Sequence, residues 1–191
     1  MFSQTVTVIL GLCYVVCTLL QITGFATPAW VVSDYNGEIY ESNGLWYSIS
    51  CRDGGECEAK TYQEIHNEYK TAAGDMVYAD QIQEIVIAAL SVASAIAACV
   101  LLLLNICIKH QRPALSLVAV LFTFVSVSLI WTIISSTLVP IATEQSKTYS
   151  FPYSLFLSAL GSFGSLVLAM IYLVRLLKVM NVLSPAYQPL K

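Results

Sequence analysis

Residues 28–62 read PAWVVSDYNGEIYESNGLWYSISCRDGGECEAKTY, a segment unlike the rest of the chain. Its Val, Ile, Tyr and Trp runs are broken by turn residues, which is typical of short antiparallel strands. Asn36 and Gly37 suit one tight turn, and residues 53–55 suit another. The segment therefore predicts a small antiparallel sheet, whose strands are residues 30–35, 38–41, 45–50 and 57–62.

The sequence that follows, residues 61–83, is polar and contains many helix formers. It then enters a long apolar run without a proline or another strong break. We expect either a short separate helix here or an upward extension of the helix that follows.

Four apolar runs surround the predicted sheet. Each lacks Asp, Glu, Lys, Arg and His and reaches the roughly 20 residues that a helix needs to cross a bilayer. Only 11% of the residues are charged, against about 25% in an average soluble domain. We predict one four-span membrane domain over residues 1–191. The predicted spans are residues 5–26, 85–108, 114–139 and 153–174.

The first run is longer than the roughly 7 to 15 apolar residues of a signal-peptide core and lacks a basic segment before it, so a retained span is favoured over a cleaved signal peptide.

Charge predicts the orientation of the four spans. Basic residues without any acid follow the second and fourth runs, and short cytoplasmic loops collect Lys and Arg. Both termini are therefore expected in the cytoplasm, together with the tail 175–191. The loops 27–84 and 140–152 are expected outside the cell. The bases are Lys109, Arg112, Arg175, Lys178 and Lys191.

Two cysteines bracket the second predicted turn. Cys51 and Cys57 have five residues between them and lie on the side expected to be oxidising, which favours a disulfide. A zinc site lacks ligands, because His66 is the only histidine in the same loop. Of the remaining cysteines, Cys107 lies beside Lys109 at the cytoplasmic end of a span, so S-palmitoylation is an alternative to simple packing there.

The order of six residues in the first loop resembles the W…GLW…C…C motif of claudins and their relatives, the peripheral myelin and epithelial membrane proteins. A divergent claudin is the nearest match. The resemblance implies a left-handed four-helix bundle topped by an extracellular antiparallel sheet, to which the second loop adds a strand. It also implies that Trp30, Trp46 and Leu45 anchor the sheet to the helices, and tryptophan suits such an interface. The motif residues are Trp30, Gly44, Leu45, Trp46, Cys51 and Cys57.

The chain departs from claudins in three ways. The two cysteines are closer together than is usual, and Gln81, Gln83 and Glu84 stand where claudins tend to carry a base. Lys191 at the C-terminus does not suit a pocket that binds hydrophobic C-termini, so PDZ binding is not expected. The branch therefore stays open between claudins, myelin-type proteins and auxiliary subunits of calcium or glutamate channels.

Small and polar residues within the runs suggest how the spans pack. Inter-helix hydrogen bonds are expected for Gln21 and Asn105. Packing within one bundle is favoured over a dimer interface for the small residues at helical spacings. These are Ala89, Ala93 and Ala97, Gly161 with Ser165, and Ser158 with Ser162.

The sequence favours a chain that is not an enzyme. No ionisable residue lies within a predicted span, and His66 and His110 fall on opposite sides of the membrane. We therefore expect no catalytic, metal or cofactor site. Nucleic acid is not an expected partner either.

The first loop is strongly acidic. Residues 28–84 carry eleven acids and three bases, a net charge of −8, and a surface of one sign concentrates counter-ions. By resemblance to claudins, residues beside the loop cysteines set charge selectivity. The alternative is a solvated acidic face that only keeps the loop soluble. The candidates are Glu58 above all, then Asp53, Glu56 and Arg52.

Two further motifs allow two interpretations each. Tyr149 and Phe151 in the second loop suit contact with an opposing cell, or simple anchoring of the fourth span. Tyr187 and Leu190 fit a tyrosine-based endocytic pattern, and the alternative is a disordered tail.

The resemblance implies a junction protein of the plasma membrane at cell–cell contacts, forming a paracellular barrier or a cation-preferring paracellular channel. Its expected partners are membrane lipid and, in cis and in trans, itself or related tetraspans. The alternatives are an auxiliary subunit of an ion channel and a myelin-type adhesion or membrane-organising protein.

Overall fold

A computed structural model describes residues 4–35, 39–52, 56–68, 72–108, 112–143, 148–150 and 152–183. These residues form five helices and five strands. The helices are α1 (Gln4–Ala26), α2 (Tyr62–Glu68), α3 (Ala72–Cys107), α4 (Pro113–Thr143) and α5 (Tyr153–Leu183). The strands are β1 (Val31–Tyr35), β2 (Ile39–Asn43), β3 (Tyr47–Arg52), β4 (Cys57–Thr61) and β5 (Thr148–Ser150).

Four of the helices are long and apolar enough to cross a bilayer, and the chain is a membrane protein. The spans lie in α1, α3, α4 and α5, and α1 packs against α3 and α5, while α4 packs against the same two helices. The predicted α+β four-helix bundle is confirmed. Its left-handed twist stays a prediction.

All five strands are antiparallel neighbours in one sheet, in the order β4-β3-β2-β1-β5. Four of them match the predicted strands to within two residues. The fifth comes from the second loop and pairs with β1, where Val32 lies opposite Ser150. The extra strand implied by the resemblance is therefore present. The end of the bundle that carries this sheet is called the sheet end below, and the opposite end is called the far end.

The helices continue beyond the apolar runs. Both alternatives for residues 61–83 occur, because α2 is a separate short helix and α3 begins at Ala72, well before the run at residues 85–108. Helix α4 continues through Pro140 to Thr143, and α5 continues to Leu183 within the predicted tail. Apolar runs mark where lipid begins and ends, whereas a helix continues until its backbone bonds are capped.

Polar and small side chains fill much of the bundle interior, since apolar side chains gain little by leaving lipid. Gln21 Nε2 donates to Ser165 Oγ at 3.2 Å, and Asn105 Nδ2 donates to Ser116 Oγ at 2.7 Å. Both amides thus make the inter-helix bonds that were expected. Ser91 Oγ adds a bond to the Ser126 carbonyl at 3.0 Å.

The small residues of α5 pack as expected, and those of α3 do not. Gly161 approaches the α1 backbone so closely that an added Cβ would lie 2.7 Å from the Cys17 carbonyl oxygen. Ser158, Ser162 and Ser165 are buried as well. In α3, however, Ala89 and Ala93 are exposed and Ala97 is half-buried. The buried positions are instead Ala88, Ser91, Ala95 and Ala98.

Candidate functional site: the joint between sheet and bundle

The region where the sheet contacts the helices is called the joint below. Its first part is the end of α1. Trp30 is buried and its ring stacks on Phe25 with centroids 5.5 Å apart. Its indole Nε1 donates to the Gly24 carbonyl at 2.9 Å. Gly24 belongs to the last turn of α1, whose carbonyls have no partner inside the helix. Trp30 therefore caps α1 and starts β1 at the same point.

Trp46 makes the same kind of bond but is less buried than Trp30. Its Nε1 donates to the Phe25 carbonyl at 2.7 Å, beside the bond made by Trp30. Its side chain is nevertheless 42% exposed. Trp46 thus bonds the last turn of α1 while much of its side chain stays exposed. An amphipathic indole suits a membrane–water boundary in this way.

Leu45 supplies the buried apolar contact of the joint. It is 2% exposed and packs in one cluster with Phe25, Trp30 and residues of three other helices. The helical members of that cluster are Ala88 of α3, Ile130, Ile133 and Ile134 of α4, and Leu155 of α5. Burying a leucine side chain stabilises by about 2 to 3 kcal/mol.

Gly44 lets the sheet approach the bundle. A Cβ at this position would lie 2.7 Å from the Pro28 Cα, which leaves no room for a side chain. Its amide donates to the Tyr47 carbonyl at 3.0 Å, which closes a turn and delays the start of β3 relative to the prediction. Its own carbonyl accepts from the Tyr62 hydroxyl at 2.6 Å. Burial chiefly, together with the nearby Glu84 carboxylate, raises the pKa of Tyr62 to about 12.

Ser154 ties α5 to the same joint. Its Oγ accepts from the Ala29 amide at 3.0 Å and bonds the Thr27 hydroxyl at 2.7 Å. Its amide donates to the Ala29 carbonyl at 3.2 Å. Sequence reasoning missed Ser154, Phe25 and Tyr62. A serine two residues after Pro152 at a helix start was the one available signal for this group.

The disulfide prediction is confirmed. Cys51 and Cys57 are bonded, and they lie directly opposite each other in the β3–β4 register with Cα atoms 4.1 Å apart. The bond closes the hairpin and fixes which residue of β4 faces which residue of β3.

The charged candidates lie on β4 and around it. Glu58 is exposed, and Lys60 Nζ lies 3.4 Å from its carboxylate and 2.8 Å from that of Glu68. The bond to Glu68 chiefly raises the pKa of Lys60. One base thus lies between two acids, so Glu58 presents less negative charge than its sequence position suggested. Glu56 is exposed as well.

A capping box begins α2 beside this group. Glu64 accepts from the Thr61 amide at 2.8 Å and from its hydroxyl at 3.0 Å, and the Glu64 amide donates back to Thr61 Oγ1 at 3.3 Å. The bond from the Thr61 backbone amide lowers the pKa of the Glu64 carboxyl. The seven-residue helix is therefore held at its start by the last residue of β4.

The remaining candidates lie apart from the joint. Tyr149 belongs to β5 opposite Ser33, and Cys107 is exposed at the far end. The Arg52 backbone pairs with Ile39 in the sheet. The following candidates lie outside the described residues: Asp53, Phe151, Tyr187 and Leu190.

Within the described part of the chain, no three His, Cys, Asp or Glu side chains come together in a way that could hold a metal ion. Comparison of the sequence with models of protein families and with curated proteins finds no match.

Proposed function

We propose that this chain is a non-catalytic, claudin-like junction protein of the plasma membrane, whose sheet faces outward at cell–cell contacts. The observation that carries the proposal is the assembly of the motif residues at one joint. Trp30, Leu45 and Trp46 each contact the top of the bundle, and Gly44 allows the close approach. Four residues of the W…GLW…C…C motif thus share one structural role, which is to hold the sheet against the bundle.

The joint supports this function because it makes the sheet a rigid platform. Two indole bonds to α1, the buried Leu45 and the Ser154 bonds to α5 leave the sheet little freedom to tilt. An interface between cells needs such preorganisation, since ordering a loose surface on binding weakens affinity. Strand β4 is an edge strand of the sheet. In this proposal, β4 and the acidic residues of the loop contact neighbouring chains in the same or the opposing membrane.

A barrier or a cation-preferring paracellular channel is the finer form of the proposal. The net charge of −8 over residues 28–84 would enrich cations beside the sheet. The pairing of Glu58 with Lys60 reduces this field locally. We therefore assign any cation preference to the acidic loop as a whole, with Glu58 contributing through its exposed carboxylate.

Freeze-fracture imaging tests the proposal in cells that have no junctions of their own. Expression of the full chain should produce continuous intramembrane strands at contacts between expressing cells. Scattered particles without strands would refute junction formation and favour an auxiliary subunit or a myelin-type protein. Leu45→Ala removes the buried contact of the joint and should prevent strand formation. Leu160→Ala makes the same substitution at a position 48% exposed on α5 and serves as its control.

A further inference from the structure

A cavity of about 90 Å³ lies at the far end, between all four spanning helices. A cavity whose volume, measured in the same way, is about 10 to 15 Å³ holds one water molecule. The larger volume here therefore has room for a larger group. Apolar walls come from Leu102, Ile106 and Leu176. Apart from Pro113, the remainder of the lining is polar or basic, and it includes Arg112 and Arg175 but no carboxylate among the described residues.

The polar groups around the cavity are held in place by the fold. Asn105 donates to Ser116 Oγ at 2.7 Å and accepts from the Arg112 amide at 2.8 Å, which ties α3 to the start of α4. Arg175 Nη1 donates to Thr7 Oγ1 at 3.0 Å and so bridges α5 to α1.

Tyr172 supplies the observation that points to a ligand. It lies three residues before Arg175, on the same face of α5, and it also lines the cavity. Its side chain is 4% exposed, and its hydroxyl is buried without a hydrogen-bond partner. A buried hydroxyl of this kind is destabilising unless it makes a hydrogen bond with a partner.

We propose that this cavity binds the phosphate group of an anionic phospholipid. Two guanidinium groups and one hydroxyl suit a phosphate, whose oxygens accept several bonds at once and pair with arginine forks. The site lies where the span in α3 ends at Cys107 and that in α4 begins at Pro113, which is the depth of lipid headgroups. The N-terminal end of α4 adds a partial positive charge.

The sequence around the site agrees with a negatively charged ligand. Neither residues 109–112 nor residues 175–191 contain an acid, while both contain Lys and Arg. Basic pockets between spanning helices are a known form of headgroup recognition. The apolar walls suit the glycerol and upper acyl carbons that accompany a lipid phosphate, and a free phosphate ion would leave them uncovered.

Native mass spectrometry of the full chain in detergent tests the proposal. Phosphatidic acid should be retained about tenfold more than phosphatidylcholine with the same acyl chains. Arg175→Gln should lower retention of phosphatidic acid about tenfold, and Tyr172→Phe, which keeps the ring, about threefold to fivefold. The matched controls are Lys178→Gln and Tyr153→Phe, which lie on the same helix outside the cavity lining and should bind as the wild type does.

Three results would overturn the inference. Equal retention of the two lipids would remove the anionic preference. Variants that bind like their controls would remove the site, and Tyr172→Phe keeps this test available if Arg175→Gln fails to fold. Inorganic phosphate that raises the Tm of the wild type as much as phosphatidic acid does would refute the lipid assignment.

Discussion

Gly161→Ala should separate α1 from α5 and destabilise the bundle. An added Cβ would lie 2.7 Å from the Cys17 carbonyl oxygen and 2.9 Å from the Gln21 amide nitrogen, both of which belong to the α1 backbone. Ordinary contact begins at 3.4 Å, so the two helices must move apart by about 0.7 Å. That movement also stretches the bond between Gln21 and Ser165, which is already 3.2 Å long.

The expected loss follows from two opposing effects. Overpacking of this kind destabilises by about 1 to 3 kcal/mol, and replacing glycine by alanine inside a helix stabilises by about 1 kcal/mol. The net loss should be up to about 2 kcal/mol, toward the upper end of that range because the atoms in the way belong to a helix backbone and cannot rotate aside. For a chain of 191 residues, a loss of about 2 kcal/mol lowers the Tm by about 4 to 8 °C. Thermal unfolding of the detergent-purified protein, followed by intrinsic fluorescence, measures the shift.

Gly164→Ala is the matched control, three residues further along α5. Its added Cβ would meet the Cys17 Sγ at 2.6 Å, and a thiol at the end of a side chain can rotate away. The Tm of this variant should equal or exceed that of the wild type. If Gly161→Ala is as stable as Gly164→Ala, the close backbone contact between α1 and α5 is wrong.

Three further predictions concern the sheet end. Leu45→Ala should lose about 2 to 5 kcal/mol and be retained in the endoplasmic reticulum, and normal surface delivery would count against its anchoring role. Tyr62 keeps its proton up to about pH 12 when folded, against 10.0 for the ordinary group, so stability should fall as pH rises from 10 through 12. Tyr62→Phe should reduce that alkaline loss in pH-dependent unfolding, and an unchanged profile would contradict the buried hydroxyl. Lys60→Gln should free Glu58 and increase cation preference in dilution potentials at low salt, whereas an unchanged or lower preference would argue against the channel.

The spans, the sheet and the disulfide could be predicted because each leaves a local pattern in the sequence. A run without charges is enough to indicate a span, and the turn residues between β-branched runs are enough to indicate a hairpin. Cys51 and Cys57 could be paired because they lie close in sequence around one turn. None of these inferences requires knowledge of which residues meet across the bundle.

The faces of the helices could not be predicted in the same way. The spanning part of α3 is apolar on every side, so Ala89 fits a packing stripe as well as the buried Ala88 does, one position away. A shift of one residue turns the stripe by about 100°. The exposure of Trp46 could not be predicted either, because a tryptophan at an interface can bond through its ring nitrogen while much of its side chain stays exposed.

Only some of the residues that form the joint could be predicted from the sequence. Trp30 and Leu45 belong to a recognisable motif, but Ser154 lies more than a hundred residues away and makes its bonds to Ala29 only after α5 has packed beside α1. The pairing of Glu58 with Lys60 also escaped prediction. It arises because residues two apart on β4 share one face of the strand and Glu68 of α2 lies beside them.

Mixed culture of two cell populations that express differently labelled full-length chains tests whether the sheet mediates contact between cells. Both labels should accumulate together at borders between the two populations, and neither should accumulate where an expressing cell meets a non-expressing one. Leu45→Ala should remove the accumulation, and Leu160→Ala should preserve it. Uniform surface label at all borders, with the wild type correctly folded and delivered, would contradict the proposed junction function.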